Sequence, residues 1–402
     1  MLFGALIFFF LFAPQTFAAT YSYYRTITVT SSVTAASGTQ TNFPMLVSST
    51  ISSWASTGHG GNVQNLVTVP NGGQEPADLV FATSSANCGT ANLNFETESY
   101  SSSTGALVDW VNVPSLSAGS VIYACYGSPS VTTDQSHPSS TWNSNYAEVY
   151  HFSHLSNDTI VNANDSTANA NNLTNHSSVT AASGTIGGAA GVVKGSPNSW
   201  LEGGPGFFGN PMTQTSSFAI STWVDPSSSN VGGDWTMVAT LGGGIGWGIG
   251  IDYRNSPADI AIHYPGSAFV NSGCNASNDT WQYIALVNSG GVGTIYKNGV
   301  ACPTTTSATP NTGFGGNTWI SGDQSTLNGI NASIDETHFL SAPLSPSWIL
   351  TEYNNQANPG IFYTVGAETG GGGGAQATYG GNPVTQFLKG IFQFVNGIFQ
   401  FR

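Results

Sequence analysis

Between residues 20 and 380 no stretch has the 3.6-residue periodicity of a long amphipathic helix, and this restricts the fold more than any single motif does. Short runs of β-branched and aromatic residues recur instead, separated by clusters of Gly, Asn, Ser and Pro. Thr26-Ile27-Thr28-Val29-Thr30, Leu79-Val80-Phe81 and Val108-Asp109-Trp110-Val111 are such runs in the first half. The runs Phe218 to Val224, Trp281 to Val287 and Gly293 to Tyr296 are their counterparts in the second. Short strands punctuated by turn formers are the pattern of a sandwich or barrel. Several runs alternate with period two, as half-buried antiparallel strands do. Asn298-Gly299, inside Tyr296-Lys297-Asn298-Gly299-Val300, is a hairpin signal, because both central residues of such a turn need positive φ. The expected fold class is therefore all-β, with two β-sandwich domains.

Composition shifts mark the boundaries. Leu2 to Phe12 is an apolar run followed by Pro14 and Thr16-Phe17-Ala18-Ala19, the layout of a signal peptide over residues 1–18 cleaved after Ala18. It is short for a bilayer span and lacks a basic start; the alternative is an uncleaved N-terminal anchor. A polar, Asn-rich stretch from Ser153 to Ser178 separates two strand-rich halves, expected as domains over 19–147 and 148–368. Gly370 to Gly374 opens a flexible linker over 369–383. The tail, 384–402, nearly repeats itself: Gln386-Phe387-Leu388-Lys389-Gly390-Ile391-Phe392 returns as Gln393-Phe394-Val395-Asn396-Gly397-Ile398-Phe399. It reads equally as a helix with one polar stripe or as a small meander. In either form its phenylalanines call for a membrane surface, another copy of the chain, or the body of the protein.

Charge narrows the partners. Lys and Arg number 6 against 20 Asp and Glu, a net charge of −14, with only 6% of residues charged. So few cations leave no footprint for a phosphate backbone, and nucleic acid is not an expected partner. Solubility must come from Ser, Thr, Asn and Gly, a surface suited to meeting sugars outside the cell. The four cysteines fit disulfides in an exported chain, with Cys88–Cys125 and Cys274–Cys302 the favoured pairing. No Cys-x-x-C pair or Cys/His spacing suggests zinc.

In the first half, several motifs occur in order: Tyr24-Arg25-Thr26-Ile27-Thr28-Val29, Thr41-Asn42-Phe43-Pro44-Met45-Leu46-Val47, Asp78-Leu79-Val80-Phe81, Leu93 to Tyr100, Trp110-Val111-Asn112-Val113-Pro114 and Val121 to Gly127. Together they resemble a bacterial and archaeal domain of unknown function found on secreted multidomain proteins. Cys125 departs from that pattern, which usually has an aromatic there, in keeping with a disulfide peculiar to this subgroup. The resemblance implies no activity. Glu96 and Glu98, two apart on a strand, face the same side. They read either as an acid/base pair or, the favoured reading, as an edge-strand contact to a group such as Arg25.

From Tyr150-His151-Phe152 to Glu368 the chain resembles the laminin-G-like branch of the concanavalin A-like jelly rolls. Phe218 to Val224, with Trp223 expected inward, is similar to that family's first core strand. Trp281 to Val287 with Thr294 to Gly299 matches its central hairpin. Trp319-Ile320-Ser321-Gly322 and Ile330 to Glu336 match its closing strands, and Ser345 to Asn355 the helical turn after them.

The resemblance implies two sites. One is calcium, held by Asp165, Asn169 and Asn172 in an oxygen-rich loop and completed by Asp335; the alternative is an Asx-turn loop that satisfies its own backbone. The other is a glycan platform built on Trp247 or Tyr253, with Trp200 and Trp319 as weaker candidates; the alternative for all four is core or sheet-face packing. Hydrolases of this fold tend to carry Glu-x-Asp-x-x-Glu on one strand, which is missing here. Asp335 and Glu336 are adjacent and expected on opposite faces, so they make no catalytic pair. His151, His154 and His176 read as surface or packing residues. The expectation is a secreted cell-surface protein that binds carbohydrate or mediates adhesion and is not an enzyme. A structural subunit of an extracellular sheath or filament, assembling through the tail, is the alternative; a glycoside hydrolase comes third.

Overall fold

The structure is a computed structural model that describes residues 20–30, 38–69, 73–153, 162–177, 179–195, 198–204, 217–230, 234–242, 246–264, 268–307, 316–322 and 328–370. The expected signal peptide, His154, the expected linker beyond Gly370 and the tail over 384–402 lie outside the described residues. The chain is all-β, as expected, and its strands form two sandwiches.

In the first sandwich, Tyr23–Val29 pairs with Val121–Tyr126, which pairs in turn with Leu79–Ala82. The facing sheet is Gln40–Thr50, Ala106–Leu116 and Phe95–Ser101. Ile27, Met45, Val47, Trp54, Phe81 and Val111 fill the space between them. Cys88 and Cys125 are joined, one of the two pairings expected.

The first sandwich is completed from the far end of the chain. Tyr363–Val365 pairs antiparallel with Tyr23–Val29, and Thr369–Gly370 continues alongside. Phe362 and Tyr363 are buried in the first core. The Tyr363 hydroxyl donates to the Ser48 carbonyl (2.8 Å) and accepts from the Ser48 N–H (2.7 Å). A unit running from 148 to 368 therefore does not describe this chain, because its last strands satisfy an edge that the first sandwich would otherwise expose.

The second sandwich has a seven-stranded and an eight-stranded sheet. Ala332–Leu340 and Phe218–Pro226 lie at the middle of the larger one, between Gly188–Val192 and Gln282–Ser289, and Tyr146–Tyr150 pairs with part of Ala332–Leu340. The core between the sheets includes Phe218, Ile220, Trp247, Ile249, Ile284 and Ile334. Cys274–Cys302 ties Ala268–Asn275, at the edge of one sheet, to Val300–Ser307, at the edge of the other. Asn298 and Gly299 both have positive φ, 49° and 81°, as the hairpin signal requires.

The outer face of the eight-stranded sheet is also buried. The helix Pro346–Ala357 starts at Ser345, whose hydroxyl accepts the Trp348 N–H, with Pro346 in the first turn. It covers Trp223 and Tyr283. Trp223 is buried, but on this outer face, where its indole N–H donates to Gln356 Oε1 (2.7 Å). The same helix clamps the first sandwich: the Leu46 N–H donates to Asn355 Oδ1 (2.7 Å) and Asn355 Nδ2 donates to the Leu46 carbonyl (3.0 Å). Leu46 and Trp110 of the first sandwich join Trp142, Tyr146, Leu340 and Ile349 in one apolar cluster between the domains.

Candidate functional site

A polar cluster is embedded in that junction. Phe95–Ser101 brings Glu96 and Glu98 from the first sandwich. Ala332–Leu340 brings Asp335, Glu336 and His338, the residue after Tyr146–Tyr150 brings His151, and the helix brings Glu352. All seven are buried. His151 Nδ1 lies 2.9 Å from both Glu336 oxygens, 3.8 Å from Glu98 Oε2, and its Nε2 lies 3.4 Å from Glu96 Oε2. His338 bridges Glu336 Oε2 and Glu352 Oε1, each at 3.2 Å. Indoles hold the glutamates of the first sandwich. Trp110 Nε1 donates to Glu98 Oε2 (3.0 Å), and Trp142 Nε1 donates to Glu96 Oε2 (2.8 Å).

A β-bulge makes the cluster. Ser221 pairs with His338 and Trp223 with Asp335, so one residue on the first strand faces two on the second. Glu336 takes up the extra residue with φ of 45°. Strict alternation predicted Asp335 and Glu336 on opposite faces. With the bulge, Asp335 and Glu336 both repel the carboxyl of Glu98. Glu96 and Glu98 point into this junction, while Arg25 donates to Ser53 Oγ and the Gly366 carbonyl, which removes the expected contact between them. His151, expected at the surface or in packing, is at the centre of the network.

Burial sets the ionisation first. It pushes Glu98 up to about 8, with the Glu336 charge adding to it. Burial likewise raises Asp335 well above the usual carboxylate range, followed by Glu336 and Glu98. For Glu336 the same burial is overcome by His151 and His338, leaving its carboxyl below its ordinary value. Burial opposes a charged His151, but Glu336 and Glu96 outweigh it and hold the imidazole well above its ordinary range. The side chains of Glu98, His151 and Glu336 offer ligand atoms all within 4.8 Å of one another, a set able to hold a cation.

An open cavity of about 530 Å³ lies against the cluster, with Glu96, Glu98 and His151 in its wall. The rest of the lining includes Glu75, Asp134, Ser136, Asn162 and Asn164, and holds no Lys or Arg.

The aromatic candidates are elsewhere. Trp247 is fully buried between the sheets, its ring 6.1 Å from Phe218 and 6.0 Å from Tyr264. Trp319 is buried too, and so is Tyr253, whose hydroxyl donates to Asn278 Oδ1 (3.2 Å). Trp200 is half-buried and stacks on His176 at 4.7 Å. None of the four lines the cavity. A fully buried ring has no face left for a sugar, and this corrects the expected platform for Trp247.

The oxygen-rich loop serves its own backbone. Asp165 Oδ1 accepts from the N–H groups of Val149 (3.0 Å) and Thr167 (2.9 Å). Its Oδ2 accepts from Thr167 Oγ1 and the Asn171 N–H, both at 2.9 Å. Asn172 Oδ1 accepts the Asp165 N–H, and Asn169 Nδ2 donates to the Ala147 carbonyl. Asp335 instead takes the N–H groups of Ile186 and Glu336. Asp165→Ala should cost roughly 2–4 kcal/mol, since several bonds to one charged acceptor vanish together. Urea unfolding measures this, and faster amide exchange at Thr167 and Asn171 would localise it.

Residues 206–350 match the family model described as the Concanavalin A-like lectin/glucanases superfamily. A concanavalin A-like domain is thus found over residues 206–350, within the second sandwich. Its solved neighbours include domain 4 of AbnA, an extracellular GH43 arabinanase from Geobacillus stearothermophilus, in complex with arabinotriose. That likeness has 18% identity and a TM-score of 0.40, over 52% of this chain and 98% of that one. The receptor-binding domain of botulinum neurotoxin type G is similar at 17% identity and TM-score 0.39, over 54% of this chain and 52% of that one. The binding domain of Paraclostridial Mosquitocidal Protein 1 is similar at 15% identity and TM-score 0.40, over 52% of each chain. The alignments thus span about half the length of these two toxin domains. No curated protein matches the sequence.

Proposed function

We propose that the protein binds carbohydrate outside the cell, taking a neutral or amino-bearing sugar chain in the cavity between its two sandwiches. The carrying observation is the make-up of that cavity. Carboxylates, amides and hydroxyls converge on about 530 Å³ with no Lys or Arg among them. Sugar hydroxyls both donate and accept, so such a lining suits them, and the size is that of a small-molecule site. An acidic wall whose one basic side chain, His151, is already engaged by Glu336 and Glu96 disfavours sulfated or uronic acid chains. The concanavalin A-like domain supports a carbohydrate ligand at the level of the family, whose description covers lectins and glucanases.

Binding is favoured over cleavage by how the carboxylates are held. Both Glu96 oxygens are committed, to Trp142 Nε1 and to Ser166 Oγ (2.6 Å), and Glu98 Oε2 is committed to Trp110. The Glu-x-Asp-x-x-Glu strand motif of hydrolases of this fold is also missing. Two disulfides fit an oxidising, extracellular setting. No described helix is long and apolar enough to cross a membrane.

A glycan array followed by calorimetry tests the reading. Asn162→Ala with Asn164→Ala should weaken the best neutral or amino sugar about tenfold, the loss of one or two hydrogen bonds, while leaving the unfolding midpoint unchanged. Failure of the unaltered protein to bind any sugar, or equal binding by the double variant, would refute the cavity as the site. Release of new reducing ends from a polysaccharide would identify a hydrolase instead.

A further inference from the structure

We propose that Glu98, His151 and Glu336 form a site for one divalent transition-metal ion, of the Zn²⁺ or Mn²⁺ class, that ties the two sandwiches together at the floor of the cavity. The inference stands whether or not a sugar occupies the cavity above.

The geometry fits first. Ligand atoms at about 2.0–2.2 Å from a metal lie about 3–3.5 Å from one another. His151 Nδ1 lies 2.9 Å from the Glu336 oxygens and 3.8 Å from Glu98 Oε2, which brackets that spacing. The ligands come from three separate segments in two domains, so an ion there would cross-link the fold.

Charge balance points the same way. Glu96, Glu98, Asp335, Glu336 and Glu352 are buried with only His151 and His338 as cationic partners. The described Lys and Arg side chains are engaged elsewhere. Arg25 meets Ser53 and Gly366, Lys194 meets Asp234, Arg254 meets Asp252, and Lys297 meets the Asn275 carbonyl. Buried carboxylates in excess are costly unless a proton or a metal neutralises them.

Two atoms of the ligand set are left over. Glu98 Oε1 and His151 Nε2 are buried without a hydrogen-bond partner. With Nδ1 on a metal, Nε2 carries the proton and faces Glu96 Oε2 at 3.4 Å. A carboxylate behind a ligating imidazole is the usual support of such a ligand. Trp110 orients Glu98 in the same manner, and His338, backed by Glu352, orients Glu336. The imidazole nitrogen selects a transition metal over Ca²⁺ or Mg²⁺, which prefer oxygen alone. Because Glu98 and His151 line the cavity, the ion would keep a coordination position open to it.

The untagged full chain, freed of metal by a chelator, should bind one equivalent of Zn²⁺ by calorimetry and show a raised unfolding midpoint. Co²⁺ in its place should give visible ligand-field bands, and X-ray absorption should detect a nitrogen ligand. Glu98→Gln and Glu336→Gln should each weaken Zn²⁺ by about 100-fold or more. Glu75→Gln, in the same cavity wall but outside the ligand set, should change it less than about threefold. If Glu336→Gln fails to fold, Glu98→Gln and the absorption spectrum decide. No binding, binding indifferent to Glu98→Gln, an oxygen-only shell, or equal affinity for Ca²⁺ would overturn the assignment.

Discussion

Trp110→Ala should lower the unfolding free energy by roughly 3–5 kcal/mol, the range for deleting a large buried ring. Trp110 is fully buried at the junction of the sandwiches, its ring centroid 5.3 Å from Trp142, 5.6 Å from His151 and 6.2 Å from His338. Truncation opens a void where both domains meet. It also removes the indole N–H that holds Glu98, a carboxyl already burdened by burial and by Glu336. Trp110→Phe separates the two effects: the ring packing largely survives and the hydrogen bond goes, for roughly 1–3 kcal/mol. Urea unfolding followed by tryptophan fluorescence and by far-ultraviolet dichroism provides the measurement. A loss for Trp110→Ala below about 1 kcal/mol, within the range of an ordinary surface substitution, would show that the sandwiches do not depend on their shared cluster.

The strands themselves were legible because turn residues and β-branched runs are local signals. Asn298-Gly299 fell where its φ values require, and both disulfides joined the expected cysteines. What stayed hidden depends on contacts remote in sequence. Phe218–Pro226 is buried along almost its whole length, because its sheet is covered on both faces, so alternation had no power to separate its inner side from its outer side. Alternation therefore cannot tell which side Trp223 faces, and Trp247–Asp252, buried at every position, leaves Trp247 equally unmarked. The return of Tyr363 to Tyr23–Val29 is a pairing across most of the chain, and no local pattern announces it. The bulge at Glu336 defeated a period-two argument that is sound only for regular strands. One signal was present. In a chain with 6% charged residues, Glu96-x-Glu98 and Glu336-x-His338 are two i, i+2 pairs of titratable residues on strands, and their scarcity marks them as costly to retain.

Stability should fall as pH rises from about 5 to 8, so that the unfolding midpoint at pH 5 exceeds that at pH 8 by about 5 °C or more. Three carboxyls outside the proposed metal ligands carry this. Burial pushes Asp109 well above the usual carboxylate range; Thr97 opposes the shift, while Glu75, Glu96 and Asp134 add to it. Burial pushes Glu75 up to about 8, with Asp134 and Glu96 adding to the shift. Burial pushes Glu148 up to about 7, against hydrogen bonds from Asn171, Thr318 and Tyr150, with Asp165 adding to it. Each binds its proton more tightly in the folded chain than in the unfolded one. Between the ordinary carboxylate value and these raised values, the folded state holds the extra protons, so raising the pH withdraws stability. The opposite limb lies lower. Glu368 is held below its ordinary value despite some burial, by Tyr126, Asn62 and Ser53, so its contribution is lost only as pH falls below the usual carboxylate range. The optimum is therefore mildly acidic. Asp109→Asn removes the buried charge while keeping the shape, so it should raise the midpoint at pH 8 and leave it nearly unchanged at pH 5. Thermal scans with chelator present, so that no metal competes with protons, would read both effects. A midpoint that is flat or rises across this window, or an Asp109→Asn effect independent of pH, would show that these carboxyls are not protonated by the fold.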